Sequence, residues 1–279
     1  MRLGVALLYQ TGLRDLCADF IYRAEQTWNL IGCGLNTGID FSEESATDIN
    51  LLELQMRHPY EVRTQKFTKP TEARIGADWE WWLGSEGYWL GLRAQAKKID
   101  SQNLRYPYLD HRSRHGRQIE LLISNSLAGN PPTIPIYILY NYWDSGRFDP
   151  PWLCPTYPKI PQMLGCGLCE AVAIKSIVDR GRNELKDIAQ MMYPWSCLIC
   201  CAGFSGDDSR LPYRAFSFLT GAYEKYAREA NFVPYKKEKY VSEKAPKYVF
   251  KVLEGVKLSK EEWKGIKAGR ITVIYQKLK

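Results

Sequence analysis

No run of about 18 apolar residues occurs in the 279-residue sequence, so no segment reads as a helix that crosses a bilayer. The stretch LGVALLY at 3–9 is too short for the apolar part of a secretory signal and lacks a small-residue cleavage pattern, which points to a cytoplasmic protein. Internal repeats and low-complexity tracts are also absent, and a packed globular chain is expected. What is present fits that expectation: 45% of the residues are hydrophobic, enough to fill a sizeable interior. The formal net charge of +7 suits a phosphate-bearing partner, but the charge is dispersed along the chain and defines no binding face by itself. Eight cysteines in a reducing compartment are expected to pack or to bind metal, not to pair.

Hydrophobic periodicity divides the chain near Asp149 into 1–149 and 150–279. Residues 12–30 carry Leu13, Leu16, Cys17, Phe20, Ile21, Ala24 and Trp28 at helical spacing. A second helix begins near Ser42, with Glu44 and Asp48 one turn apart and Ile49 and Leu52 turned inward. EVRTQKF (61–67) reads as a strand, and ADWEWWL and YWLGLRAQAKKI read as a hairpin in which paired positions have numbers summing to 171. That register sets Asp78 across from Arg93 and Glu80 across from Gly91. By alternation Asp78, Glu80, Arg93, Gln95 and Lys97 share one face, while Trp79, Trp81, Leu83, Leu90, Leu92, Ala94 and Ala96 line the other, where core packing accounts for the tryptophans better than base stacking does. A helix over about 114–127 and a strand at 133–141, apolar throughout and so buried on both faces, complete this part. After the Pro- and aromatic-rich segment 141–161 the pattern is mainly helical. The tail carries Lys236, Lys237 and Lys239, a capping-box match from Ser259 to Glu262 and a short strand RITVIYQ, read as an appendage.

Two acids, a Gln and two cations on one side of adjacent strands suit either a solvated face with ordinary cross-strand charge pairs or a site for an anionic substrate. The order helix, strand, hairpin, helix, strand from 42 to 141, with an acid on the first helix, Asp78 on the first hairpin strand and Gln95-Ala96-Lys97 on the second, resembles the PD-(D/E)xK restriction-endonuclease-like superfamily. The resemblance implies a mixed α/β sheet flanked by helices, with a mainly helical C-terminal lobe. It also implies a Mg²⁺-dependent nuclease, with Mn²⁺ as a substitute, that acts on DNA or RNA, with DNA favoured. A bacterial antiviral setting is implied too, as are a homodimer or a partner subunit. Residue by residue, Asp78 resembles the metal-binding Asp, Gln95 stands where Glu is commoner, Ala96 offers its backbone carbonyl to the metal, and Lys97 matches the lysine. Glu44 resembles the first-helix acid, with Glu43 and Asp48 as competitors; its plain alternative is a first-turn acid favoured by the helix dipole. The proline often found beside the Asp is replaced by Ala77. Some related nucleases use a Gln on the following helix with a Tyr four residues on, and here Gln118 is followed by Leu122. The whole chain is also similar to an uncharacterised bacterial family.

The chemistry needs these groups. Phosphodiester hydrolysis requires a nucleophile at neutral pH and a counter-charge for the transition state, which a hard, oxygen-ligated ion supplies, and a compact lysine ammonium holds the attacking water or the developing oxyanion. Gln95 removes one negative charge, which keeps open a non-catalytic nucleic-acid-binding or assembly subunit. Cys166-x-x-Cys169 and Cys197-x-x-Cys200 offer a third reading, a zinc-stabilised scaffold, but their apolar, helix-like surroundings favour buried thiols without metal or disulfide. His111 and His115 would be one turn apart on a helix, though an Arg-rich loop is the better description of their surroundings.

Overall fold

The computed structural model describes residues 13–66, 77–201, 209–266 and 268–277; the LGVALLY stretch, Phe67 and Gly76 lie outside them. Along the chain run α1 (Leu13–Thr37), α2 (Glu43–Arg57), β1 (Val62–Lys66), β2 (Trp79–Ser85), β3 (Tyr88–Lys98), the two-residue strands β4 (Arg112–Ser113) and β5 (Gly116–Arg117), α3 (Gln118–Leu127) and β6 (Ile134–Tyr140). There follow β7 (Cys166–Glu170), α4 (Ala171–Val178), α5 (Leu185–Ile188), β8 (Tyr193–Pro194), α6 (Cys197–Cys200), α7 (Leu211–Glu229), α8 (Lys237–Tyr240), β9 (Val241–Ser242), α9 (Lys247–Leu253), α10 (Lys260–Gly265) and β10 (Arg270–Gln276). Among the described residues no helix is long and apolar enough to cross a membrane.

One mixed sheet in the order β1-β10-β2-β3-β6-β7-β8, with β9 added beside β3, forms the centre. β3 pairs antiparallel with β2 and parallel with β6, and α3 makes the crossover between the two parallel strands. The fold class expected from sequence, a mixed sheet flanked by helices with helices concentrated toward the C-terminus, is the one observed. The tail strand is no appendage. RITVIYQ is β10, inserted parallel to β2 and antiparallel to β1, because its apolar residues are buried on both faces of the sheet. CGLCE at 166–170 also joins the sheet, as β7, where periodicity had suggested helix, so strands from both sides of residue 149 share one sheet.

Three local readings are corrected. The hairpin turns on Glu86-Gly87, both at positive φ (46° and 81°), so Ser85 pairs with Tyr88 and paired numbers sum to 173. Glu80 therefore faces Arg93 and Trp82 faces Gly91; the slip is two residues, so the division between faces stands. Next, α1 continues through the glycines to Thr37, since at Gly32 a Cβ would meet the Tyr142 ring at 2.5 Å and glycine lets that ring pack on the helix. Lastly, α2 is rolled relative to expectation: Ala46, Thr47, Asn50, Leu51 and Leu54 face inward while Ile49 and Leu52 are exposed. A buried polar cluster explains the roll, with Asn50 Oδ1 accepting from Arg23 Nε (3.1 Å) and Asn50 Nδ2 donating to Thr27 Oγ1 (2.9 Å). Ser42 caps α2 and Ser259 with Glu262 forms the expected capping box on α10.

The hairpin face carrying Trp79, Trp81 and Leu83 packs against α1 and α2, where Trp81 meets Phe20 and Trp195. The opposite, polar face is covered too: α3 reaches it through the Asn125 carbonyl and α9 through Tyr248. Glu80, Arg93, Gln95 and Lys97 are consequently buried rather than wet.

Candidate active site

β2 begins beside the middle of β3, and that adjacency assembles the site. The Asp78 N–H donates to the Ala94 carbonyl at 2.8 Å, which sets the Asp78 side chain against the next turn of the pleat. Asp78 Oδ2 accepts from Gln95 Nε2 and from the Ala96 N–H, each at 2.6 Å, and Gln95 Nε2 also donates to the Ala96 carbonyl at 3.2 Å. The Asp78 carboxylate, the Gln95 amide and the Ala96 main chain thus meet at one point. One residue pair further along the same face, Lys97 Nζ donates to Gln118 Oε1 at 2.9 Å, at the first residue of α3. Gln118 therefore belongs to the site although no Tyr follows it at 122.

The donor set fits a hard divalent ion. It is made of a carboxylate, an amide and a backbone carbonyl, all oxygen ligands of the kind Mg²⁺ takes. Gln95 Oε1 is buried and has no hydrogen-bond partner among the described residues, an orphan of the sort that a cation satisfies. Gln95 Nε2 meanwhile bridges two oxygens, as a cation would. A half-turn of the amide exchanges Nε2 with Oε1 and leaves three oxygens facing one another, an arrangement that needs a positive charge among them.

Glu44 lies in an adjoining ionic cluster. Its carboxylate accepts from Lys66 Nζ (2.9 Å, β1) and Arg270 (3.2 Å, β10), and Asp48 accepts from the same pair at 2.6 Å each. The Lys66 hydrogen bond holds the Glu44 carboxyl below the ordinary range; for Asp48, burial pushes the carboxyl up but the bonds from Arg270 and Lys66 outweigh it and lower it. Arg270 pairs with Trp79 in the sheet and feels the charge of Asp78, so it connects this cluster to the site. Glu43 instead accepts the Lys98 N–H at 2.9 Å, one residue beyond Lys97.

The remaining polar residues of the face are taken up by the fold. Glu80 Oε1 pairs with Arg93 at 2.9 Å and Glu80 Oε2 accepts from Tyr248 Oη (2.6 Å) and Trp82 Nε1 (3.1 Å). His111 precedes β4 and His115 sits in the β4–β5 turn, so they share no helical face, because α3 begins only at Gln118, after Gly116 at φ 120°. Cys166 and Cys169 are buried apart from the other thiols, Cys166 accepting from Asn50 and Cys169 donating to the Met191 carbonyl. The sulfurs that do gather are Cys154, Cys197 and Cys201, all within 4.8 Å of one another.

Two residues near the site were not visible to pattern reading. Tyr137 of β6 lies beside Gln95 in register, with a buried hydroxyl lacking a partner among the described residues; burial first, then the charge of Asp78, raises its pKa. Pairing IYIL with AQAK in parallel finds it. Arg270 would have required placing the tail strand inside the sheet.

Fold and site together define an α/β protein with a hard-oxygen donor cluster and a lysine at one end of a central hairpin. The chain belongs to a family of unknown function, DUF6615, whose model matches residues 16–278. No curated protein matches it.

Proposed function

We propose that the protein is a divalent-metal-dependent nuclease that hydrolyses phosphodiester bonds, with DNA as the favoured substrate. The observation that carries this reading is the meeting of Asp78, Gln95 and the Ala96 carbonyl at one point, with Lys97 next to them on the same face. A Mg²⁺ or Mn²⁺ ion held by Asp78, Gln95 Oε1 and the Ala96 carbonyl would neutralise phosphate charge and favour ionisation of water at neutral pH. Lys97 has three N–H donors, one of which is aimed by Gln118, and it contributes the rest to an attacking water or a non-bridging phosphate oxygen. Burial sharpens that contribution, since few waters compete for the ammonium and the low local dielectric strengthens its field. Arg270 and Lys66 leave the adjoining acids as paired carboxylates, so Glu44 acts through the cluster that orients Arg270.

A second reading, a binding or assembly subunit that no longer cleaves, has its own support. The Gln95 NH₂ satisfies both Asp78 and the Ala96 carbonyl, so the site closes without an ion. Incubation of pure protein with plasmid, linear duplex, single-stranded DNA and RNA, each with Mg²⁺, Mn²⁺ or EDTA, separates the two. Cleavage that EDTA abolishes and Asp78→Ala removes supports the nuclease. Binding of any of these substrates without divalent-dependent cleavage selects the subunit.

A further inference from the structure

We infer that Cys154, Cys197 and Cys201 form a thiolate site for a soft divalent cation, zinc by chemical class, built from residues other than those around Asp78. Cys197 starts α6 and Cys201 follows its end, one helical turn apart, so both sulfurs lie on one side; Cys154 arrives from the irregular segment after β6. The three Sγ atoms lie within 4.8 Å of one another and all three residues are buried. Tetrahedral zinc with bonds of about 2.3 Å spaces its sulfurs roughly 3.8 Å apart, a closure that side-chain rotation supplies. Cys200, between them, turns away to a hydrogen bond with Cys17 of α1 and is not part of the set.

The sulfurs are already served as thiolate ligands are. Thr156 Oγ1 donates to Cys201 Sγ at 3.1 Å and the Tyr157 N–H donates to Cys154 Sγ at 3.4 Å, the outer hydrogen bonds that orient and stabilise charged sulfur. Plain packing of three thiols would not require polar donors aimed at them. A metal there has a structural use as well: between Asn141 and Ile160 the chain has neither helix nor strand, and a Cys154 ligand would fasten it to α6. Binding displaces the thiol protons to solvent and involves no electron transfer, and three protein ligands leave the fourth position to a solvent molecule or an exogenous ligand.

The test begins with protein purified in reductant without chelator. Elemental analysis is expected to find about one zinc per chain. After stripping, titration with Cd²⁺ should produce the ultraviolet thiolate-to-cadmium charge-transfer band, lost in Cys154→Ser and Cys201→Ser and kept in Cys166→Ser and Cys200→Ser. Should the serine variants fold poorly, X-ray absorption on zinc-loaded wild type decides, with three sulfur scatterers at about 2.3 Å expected. The inference is overturned by a metal-free isolate whose Cd²⁺ titration stays silent. An oxygen- or nitrogen-only shell, a band that survives in the Cys154→Ser/Cys201→Ser double variant, or a disulfide within the trio in the native protein would overturn it equally.

Discussion

Gln95 Nε2 donates to Asp78 Oδ2 at 2.6 Å across β2 and β3, so the amide occupies the position in which a second carboxylate would repel the first. The consequence can be measured. Gln95→Glu replaces a hydrogen bond by two buried like charges, which raises carboxyl pKa values and destabilises the metal-free fold, while adding an anionic ligand. The variant should melt lower than wild type in EDTA, gain more in Tm on adding Mg²⁺, and need less Mg²⁺ for half-maximal cleavage. Equal Tm gains for the two proteins would remove Asp78–Gln95 from the metal site.

Much of this site was legible because two-residue periodicity is robust to small errors. The hairpin pattern alone sets the register two positions from the observed one, yet Asp78, Gln95 and Lys97 share one face in both, since a shift of two preserves every side-chain direction. What a strand pattern does not report is the cover on that face. Burial of Arg93 and Glu80 comes from Asn125 and from Tyr248, which is 168 positions away from Glu80 along the chain. The roll of α2 is hidden from the pattern for a related reason: Thr47 and Asn50 look like surface residues in sequence, and it is Arg23 and Thr27 that draw Asn50 inward. Non-local partners also make β10 look like a tail in sequence, for its neighbours β1 and β2 lie far back along the chain.

The Glu80–Arg93 pair should behave as a buried ion pair. Arg93→Ala leaves a carboxylate that is fully buried and, among the described residues, held by Tyr248 and Trp82, and should cost about 3–5 kcal/mol in denaturant unfolding. Glu80→Gln/Arg93→Met, which removes both charges and keeps the volume, should recover most of that loss. If Arg93→Ala unfolds at the wild-type denaturant midpoint, the pair is solvated and the burial described above is wrong.

Glu170 predicts a pH dependence of stability. Burial pushes its carboxyl up to about 7, against the opposing hydrogen bonds from Tyr235 and from the start of α4. The folded state therefore binds a proton more tightly than the unfolded chain. The stabilisation is complete below the unfolded value near 4.5 and is lost as pH rises toward about 7. Glu170→Gln keeps an acceptor for the Ala173 N–H, turns its NH₂ to the Tyr235 hydroxyl oxygen as the protonated acid would turn its O–H, and does not titrate, so the wild type should lose stability relative to it between about pH 5 and 8, by at most about 3 kcal/mol. A difference between the two proteins that stays constant over that range would mean that the carboxyl titrates normally.

Lys97 separates catalysis from binding. Because it is buried and its hydrogen-bond partner among the described residues is Gln118, removing it deletes a fixed cation rather than a mobile surface charge. If its charge meets an oxygen that becomes more negative in the transition state, Lys97→Ala should lower the single-turnover cleavage rate by on the order of 10²-fold or more. Substrate affinity should change little, since one phosphate contact among several is a small part of the electrostatic binding free energy. Gln118→Ala leaves the ammonium present but unaimed, so its rate should fall less, roughly tenfold, in keeping with a positioning residue. Gln118→Glu, which retains an acceptor at the same reach, should recover part of that loss. Added Mn²⁺ should rescue Gln95→Ala in part and Lys97→Ala not at all, because only the first variant removes a proposed metal ligand. Normal cleavage by Lys97→Ala, or a defect that appears wholly as weaker binding and disappears at low salt, would make Lys97 a phosphate clamp and would refute the role assigned to it.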